Sequence, residues 1–456
     1  MTVLANELKR KYGLLTAICM VVGIVVGSGV FFKAESILNH TGGNLKLGIL
    51  AWIIGGVIMI ICAYTFSILA TKYEKVNGVV DYAEAAVGEK YGYIIGWFLS
   101  TIYYPTLTMA LAWLSARYTL VVFQGENADI TGGLCFVLAG FYLIGSYALN
   151  VLSPVLSGKF QVSTTFIKLV PLLLMGIVGT VYGITKGHTV ANFTTIVTEI
   201  PTSDAIFKAV CATVFAYEGW IIATSINAEL KDAKRTLPKA LVLGAFIIVA
   251  IYVLYYVGLA GAIPNAEMMA GGQAGARNAF SAVFGNAMGT GIFVFVIISC
   301  LGTLNGLMLG CSRGLYSITS RGRGPAPQVF AHLDKHTNMS SNSGTFALLL
   351  CAAWLVFFYC SQMSSFKDKL GMFAFDPTEL PIVTIYPFYL PIFFKMMRDK
   401  NFKGFQRYGA PILAIAGSVF MVIAAFQAHA AMIPGYLILF AVIMAIGLVF
   451  IKKKKI

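Results

Sequence analysis

Three places in this sequence combine residue types and spacing that could hold a small charged ligand inside an apolar setting. The first is Gly27-Ser28-Gly29, flanked by Val25, Val26, Val30 and Phe31. Two glycines astride a serine each weaken a helix by about 1 kcal/mol relative to alanine. A helix that unwinds there frees backbone N–H groups at the start of its second half, and such a terminus carries roughly +0.5 charge and suits a carboxylate. The same residues also fit a small-residue face that lets helices approach closely. The second is Phe215-Ala216-Tyr217-Glu218-Gly219-Trp220. A carboxylate and a glycine in the middle of an apolar run are costly unless they line a cavity. Unwound carbonyls of Phe215 and Glu218 would attract an ammonium group, and the Glu218 side chain either caps the broken helix or pairs with a basic group. The third is Lys168, within Thr164-Thr165-Phe166-Ile167-Lys168-Leu169-Val170-Pro171. A buried lysine needs acceptors, and carbonyls at a break near Gly23 and Val26 would supply them. Lys168 then acts as a fixed cation or a proton carrier, unless it snorkels to an interface.

The elements that must position these residues are membrane helices. Of 456 residues, 58% are hydrophobic and 11% charged, against about 25% charged in an ordinary soluble domain. A hydrocarbon core needs about 20 apolar residues per helix, and the chain supplies that pattern twelve times. The runs are continuous, which excludes the alternating strands of a β-barrel. The spans fall near Tyr12–Leu38, Leu47–Thr71, Tyr91–Phe123, Gly133–Val151, Phe160–Ile184 and Asp204–Asn227. They continue with Pro238–Ala262, Asn286–Thr319, Ser343–Cys360, Met372–Lys395, Ala410–Gln427 and Ile433–Ile451. The first run lacks a small-residue cleavage site and reads as a retained helix. The fold class is therefore an all-α polytopic membrane protein. The two interrupted spans lie five helices apart, the placement seen in inverted repeats whose broken helices bind substrate at the midplane.

The net charge of +14 invites a nucleic-acid reading that fails on distribution, since the basic residues sit in alternate loops. With cytoplasmic termini, inner segments hold Lys9 to Lys11, Lys72, Lys159, Lys231 to Lys239, Arg321, Arg323, Lys395 to Arg407 and the terminal run Lys452 to Lys455. Outer segments hold mainly Lys33, Lys46, Lys186, Arg277, Lys367 and Lys369. That asymmetry places both termini in the cytoplasm. Arg117, near the outer end of the third span, is expected to snorkel. The eight cysteines lie inside or at the ends of apolar runs without CxxC spacing and read as small apolar residues. His332 and His336 have helical metal-ligand spacing but no third ligand, so no metal or cofactor is expected. No cluster of His, Asp or Glu occurs at one depth, which argues against an enzyme. A Walker loop is absent too, so the chain does not use ATP itself.

Taken in order, Gly27-Ser28-Gly29-Val30-Phe31, Lys168 before its leucine-rich stretch, Phe215 to Trp220, and Ser299-Cys300-Leu301-Gly302-Thr303-Leu304-Asn305-Gly306 resemble the L-amino-acid transporter branch of the amino acid–polyamine–organocation superfamily. The likeness covers nearly the whole chain and is close to bacterial alanine–serine–cysteine and serine/threonine exchangers. It implies twelve helices, a 5+5 inverted repeat over residues 1–400 with helices 1 and 6 unwound, and helices 11 and 12 with a basic cytoplasmic tail over 401–456. It implies sodium-independent exchange of small neutral L-amino acids, with proton-coupled symport and non-transporting amino acid sensing as alternatives. The substrate carboxylate would meet N–H groups of Ser28, Gly29 and Val30. The ammonium would meet carbonyls of Val25, Phe215 and Glu218, with Gly27 and Ala216 completing the two segments. The Phe215 ring would act as outer gate. Lys168 falls where the family's lysine replaces sodium, bridging to Ser299 in the eighth helix, and Tyr252 matches a tyrosine that couples the substrate site to that lysine, unless it is simply an aromatic packed in the bundle. Selectivity would come from the volume between helices 1, 3, 6, 8 and 10. Ala233 stands where the family has a proline. Phe123–Gly132 lacks the cysteine that links animal relatives to an ancillary subunit, so the chain is expected to work alone, in a bacterial plasma membrane.

Overall fold

Where no water can satisfy the backbone, hydrogen bonds must close within helices, and the computed structural model obeys that rule. It describes residues 13–27, 29–73, 78–125, 128–220, 230–363 and 366–452, which contain helices and turns and no β-strand. Eight helices are long and apolar enough to cross a membrane: Leu45–Lys72, Glu89–Gln124, Gly133–Leu152, Pro154–Lys186, Lys234–Ala262, Asn286–Thr319, Ser341–Gln362 and Gly404–His429. They are the second to fifth, the seventh to ninth and the eleventh of the expected spans. The first span is two short helices, Leu14–Val25 and Gly29–His40. The described part of the sixth is Thr202–Tyr217, the tenth is Ile382–Arg398 and the twelfth Ile433–Val449.

Two boundaries differ from the sequence expectation for identifiable reasons. The fifth span starts at Pro154 rather than Phe160, because a proline suits the first helical turn, where its missing N–H costs nothing. Lys168 consequently lies 14 residues along the helix (168 − 154), about 21 Å at 1.5 Å per residue, deeper than a start at Phe160 implies. The tenth span begins at Ile382, not Met372. Pro377 and Pro381 interrupt the apolar stretch, and residues before them form a single 3₁₀ turn, Gly371–Phe373.

Contacts recur between the two halves. The second span lies along Thr202–Tyr217 as the seventh lies along Leu14–Val25. The third pairs with the fourth and ninth as the eighth pairs with the ninth and fourth, and the most extensive pairings are second with seventh and third with eighth. This is the inverted repeat in contact form. The eleventh span packs on the second, sixth and tenth. The twelfth meets the start of the third, where Trp97 Nε1 donates to the Ile443 carbonyl (2.9 Å) and the Tyr93 hydroxyl to that of Gly447 (2.8 Å). Phe141 and Ile144 on the fourth span, and Val162, Phe166 and Val181 on the fifth, are exposed, as a lipid-facing surface requires. Outside the apolar layer, Lys72 pairs with Asp399 and holds that carboxyl below the usual carboxylate range.

Two basic residues depart from their expected places. Lys33 is not in an outer loop: it sits within Gly29–His40, 1% exposed, and forms an ion pair with Glu379. Arg117 turns inward rather than snorkelling, with its guanidinium 6.0 Å from the Phe32 ring and Nε buried.

Candidate functional site

Both interruptions seen in the sequence are breaks in the structure. The first helix ends as Val26 turns to extended backbone (ψ 105°), its N–H still bonded to the Val22 carbonyl at 2.8 Å. Ser28 lies outside the described residues, and the second half starts at Gly29. The sixth span ends likewise at Glu218 (ψ 151°), followed by Gly219 at φ +110°, a conformation that needs glycine. The two breaks touch. A Cβ on Gly29 would lie 2.5 Å from Ala216 Cα and 3.0 Å from the Phe215 carbonyl oxygen, so only glycine lets these backbones meet. Each helix end leaves carbonyls without intrahelical partners, and each start leaves N–H groups. One ligand lying between the breaks therefore faces both donors and acceptors.

Some of those carbonyls are already engaged. Lys168 Nζ, on a residue 3% exposed, donates to the Gly23 carbonyl at 2.5 Å. Its helix is interrupted at that point, running Pro154–Ile167 and then Leu169–Leu174, because Pro171 cannot donate to the Ile167 carbonyl. The buried Tyr252 hydroxyl stands between the carbonyls of Ala216 (2.9 Å) and Val25 (3.3 Å). It thus ties the sixth span to the first, two residues along from the Gly23 carbonyl that Lys168 holds. Its ring also packs against Trp52 and Tyr217, with centroids 5.3 Å apart in each case. Glu218 lies beside the Tyr103 hydroxyl and the Gly219 N–H, and no described ion pair involves it.

A cavity of about 240 Å³ opens beside the breaks. Of the residues singled out from sequence, Val25, Gly27, Gly29, Lys168, Phe215, Ala216 and Glu218 line it; Val30, Tyr252 and Ser299 do not. Ser299 is fully buried and its hydroxyl has no hydrogen-bond partner among the described residues. The expected bridge from Lys168 to Ser299 is thus not made in this conformation. The eighth span approaches through Thr303 instead, whose hydroxyl donates to the Ser299 carbonyl (3.0 Å) and would sit 3.1 Å from a Cβ on Gly27. The third and eighth spans were expected at the remaining wall, but not the residues they bring there, nor the fifth span's Gln161. Tyr103, Tyr104, Leu107 and Leu111 come from the third span, Gln161 from the fifth and Leu307 from the eighth, and the tenth contributes none of the described lining. One signal for the third span was available. Pro105 sits in mid-run, after a π-helical turn at Leu99–Tyr103. It leaves the Thr101 carbonyl free to accept Trp354 Nε1 at 3.0 Å.

Toward the far side from Gln161, Phe215 meets Phe32 edge to face, with 6.3 Å between centroids. The cavity closes there and extends along Gln161, Gly306 and Leu309, toward the face of the membrane where the first span begins.

Comparison with known proteins agrees with this arrangement. The profile of the amino acid permease family matches residues 12–454. The serine/threonine exchanger SteT of Bacillus subtilis is 30% identical over 427 residues, 91% of each chain. The human cystine/glutamate transporter is 27% identical over 340 residues, 73% of this chain and 65% of that protein. The human large neutral amino acids transporter small subunit 2 is 23% identical over 381 residues, 80% of this chain and 67% of that protein. Two helices broken at facing positions, within repeated halves and a match that runs nearly end to end, have one reading: this chain belongs to the amino acid permease family, as a multi-pass membrane transporter of amino acids and not an enzyme.

Proposed function

We propose that the chain is a sodium-independent exchanger of small neutral L-amino acids such as alanine, serine, cysteine and threonine, working by alternating access. The observation that carries this reading is the Lys168 ammonium held on the Gly23 carbonyl at the wall of the cavity. A fixed cation at the end of the first half-helix supplies the charge that a bound sodium ion would otherwise bring there. The site residues then divide by charge. N–H groups of Ser28, Gly29 and Val30 take the carboxylate, since a helix start favours an anion. Carbonyls of Val25, Phe215 and Glu218 take the ammonium; a carbonyl has two lone pairs, so Val25 can accept from Tyr252 and substrate together. Gly27 and Ala216 shape the backbone around the zwitterion. Phe215 gates the face away from the cavity mouth, and Tyr252 transmits the state of one broken helix to the other. Ser299 joins Lys168 only when the eighth span moves toward the fifth.

The support for neutral, small substrates is the wall: Leu107, Leu111 and Leu307 face the space where a side chain would lie. The similarity to a protein named as a serine/threonine exchanger points the same way. We place both termini in the cytoplasm of a bacterial cell and the chain in its plasma membrane, on the loop charge asymmetry. We assign the transport core to residues 1–400 and the last two spans with the basic tail to 401–456, and expect no disulfide-linked subunit.

The test is counterflow in liposomes without sodium or a pH gradient. Labelled L-serine should enter only vesicles preloaded with unlabelled L-alanine or L-serine. Uptake into empty vesicles that a proton gradient increases would replace exchange by proton symport. Binding without flux under any gradient would make the chain a sensor.

A further inference from the structure

The face opposite the cavity mouth carries a group of charges that the transport site does not use. Lys33, on the second half of the first span, is 1% exposed and paired with Glu379, which is 9% exposed. His429, the last residue of the eleventh span's helix, places Nε2 2.9 Å from the other oxygen of the Glu379 carboxylate. The carboxylate is held in a short segment before the tenth span, bounded by Pro377 and Pro381, where the Thr378 N–H donates to Asp376 Oδ1 at 2.8 Å. The ammonium of Lys33 also lies 4.7 Å from the centre of the Phe32 ring and 5.4 Å from that of Phe215, within cation–π range.

These contacts join parts that must separate if this face is ever to open. Lys33 and Phe32 belong to the first span, Phe215 to the sixth, Glu379 to the segment before the tenth and His429 to the eleventh. Ions this deeply buried are held only while both partners stay together, because one left alone is uncompensated. We propose that the Lys33–Glu379 ion pair, with His429 against the other carboxylate oxygen, forms a polar latch that keeps the Phe215 gate closed on the outer face, and that the eleventh span takes part in transport through His429. Lys33 and His429 are positioning residues: they do not touch the substrate but set how often the gate is shut. The proposal deepens the exchanger reading by giving its outer gate a lock, and it rests on that reading for the direction of the two faces.

A native cysteine reports on it. Cys211 is buried four residues before Phe215, and four residues is one helical turn on the same face. Cys351, equally buried in the ninth span, serves as control. The intact protein in right-side-out vesicles is treated from outside with a membrane-impermeant maleimide, and labelling of the peptides carrying Cys211 and Cys351 is quantified by mass spectrometry. Lys33→Met should raise Cys211 labelling at least about fivefold, the lower end of the range for coupling between two states. His429→Gln should raise it less, Lys33→Arg should stay near wild type, and Cys351 should not change. In the same vesicles Lys33→Met should lower the outer KM for L-serine counterflow while lowering the maximal rate. Unchanged Cys211 labelling in both Lys33→Met and His429→Gln overturns the latch, as does an equal rise at Cys351. Should Lys33→Met fail to fold, His429→Gln decides alone by the same criterion. If the wild type exchanges no amino acid, the exchanger reading fails while the labelling comparison still decides the latch.

Discussion

A lysine ammonium buried among apolar side chains is uncompensated unless it finds acceptors, and Lys168 has found one at the end of a helix. Helix C-terminal carbonyls carry about half a negative charge, and a cation there contributes up to about 2 kcal/mol in a partly buried geometry. Lys168→Met keeps the bulk of the stem and removes the charge, so the first half-helix loses its tether to the fifth span. The expected outcome is a fall of about tenfold or more in the maximal rate of sodium-free counterflow, about 1.4 kcal/mol or above, in protein that remains monodisperse. Sodium should not restore it. A rate equal to wild type would reduce Lys168 to a space-filling residue. Residues of this kind were legible from sequence because each breaks a rule: a charge at membrane depth, or glycines and a carboxylate in an apolar run. Tyr103, Leu107 and Gln161 break none, and a helix face with such residues reads the same whether it meets a cavity or a neighbour. Lys33 was misread for a related reason. Its partner Glu379 is 346 residues away, and no local pattern links the two.

Between elements, the joints are polar side chains and absent ones. Asn150 on the fourth span, Ser157 and Gln161 on the fifth and Asn305 on the eighth form a buried network just past the cavity. Asn150 Nδ2 donates to Asn305 Oδ1 (3.0 Å) and the Asn305 carbonyl (3.1 Å), while the Ser157 hydroxyl donates to Asn150 Oδ1 (2.8 Å). Asn305 Nδ2 in turn donates to Ser157 Oγ (3.1 Å) and to Gln161 Oε1 (3.3 Å). Asn305→Ala removes the amide that accepts from Asn150 and donates to Ser157 and Gln161, so the buried Ser157 hydroxyl and the Gln161 carbonyl oxygen each lose a donor. It should lower the unfolding free energy by about 1–3 kcal/mol, read as a lower Tm in detergent; an unchanged Tm would show that the network is dispensable. Asn305 was visible in sequence only as part of a motif, since its partners come from two other spans. The opposite joint is a close approach without side chains: on Gly258 a Cβ would strike the Met175 carbonyl, which locks the seventh span against the π-helical turn Met175–Gly179 of the fifth. Helix existence was readable throughout from apolar run length. Helix ends were not where proline intervened, at Pro154 and before Ile382, because hydropathy averages across the residues that decide them.

For the whole molecule, the two halves make matching contacts, yet the cavity beside their breaks opens toward one face only. Closed on the other by Phe32, Phe215 and the charges beyond them, the molecule has the asymmetry that one state of an alternating-access cycle requires. The volume of that cavity then sets what can be carried. At about 240 Å³ it lies below the roughly 300–1,000 Å³ typical of pockets for drug-sized ligands. Binding that favours the folded state adds about 2.7 kcal/mol of stability when ligand is at a hundred times Kd. L-Alanine, L-serine and L-threonine should therefore raise the Tm of the detergent-solubilised protein at millimolar concentration, and each should drive counterflow from the vesicle lumen. L-Tryptophan at the same concentration should do neither, because Leu107, Leu111 and Leu307 leave its ring no room. Equal stabilisation and equal counterflow by L-tryptophan would mean that the third and eighth spans move apart around the substrate, and that size is not what the site selects.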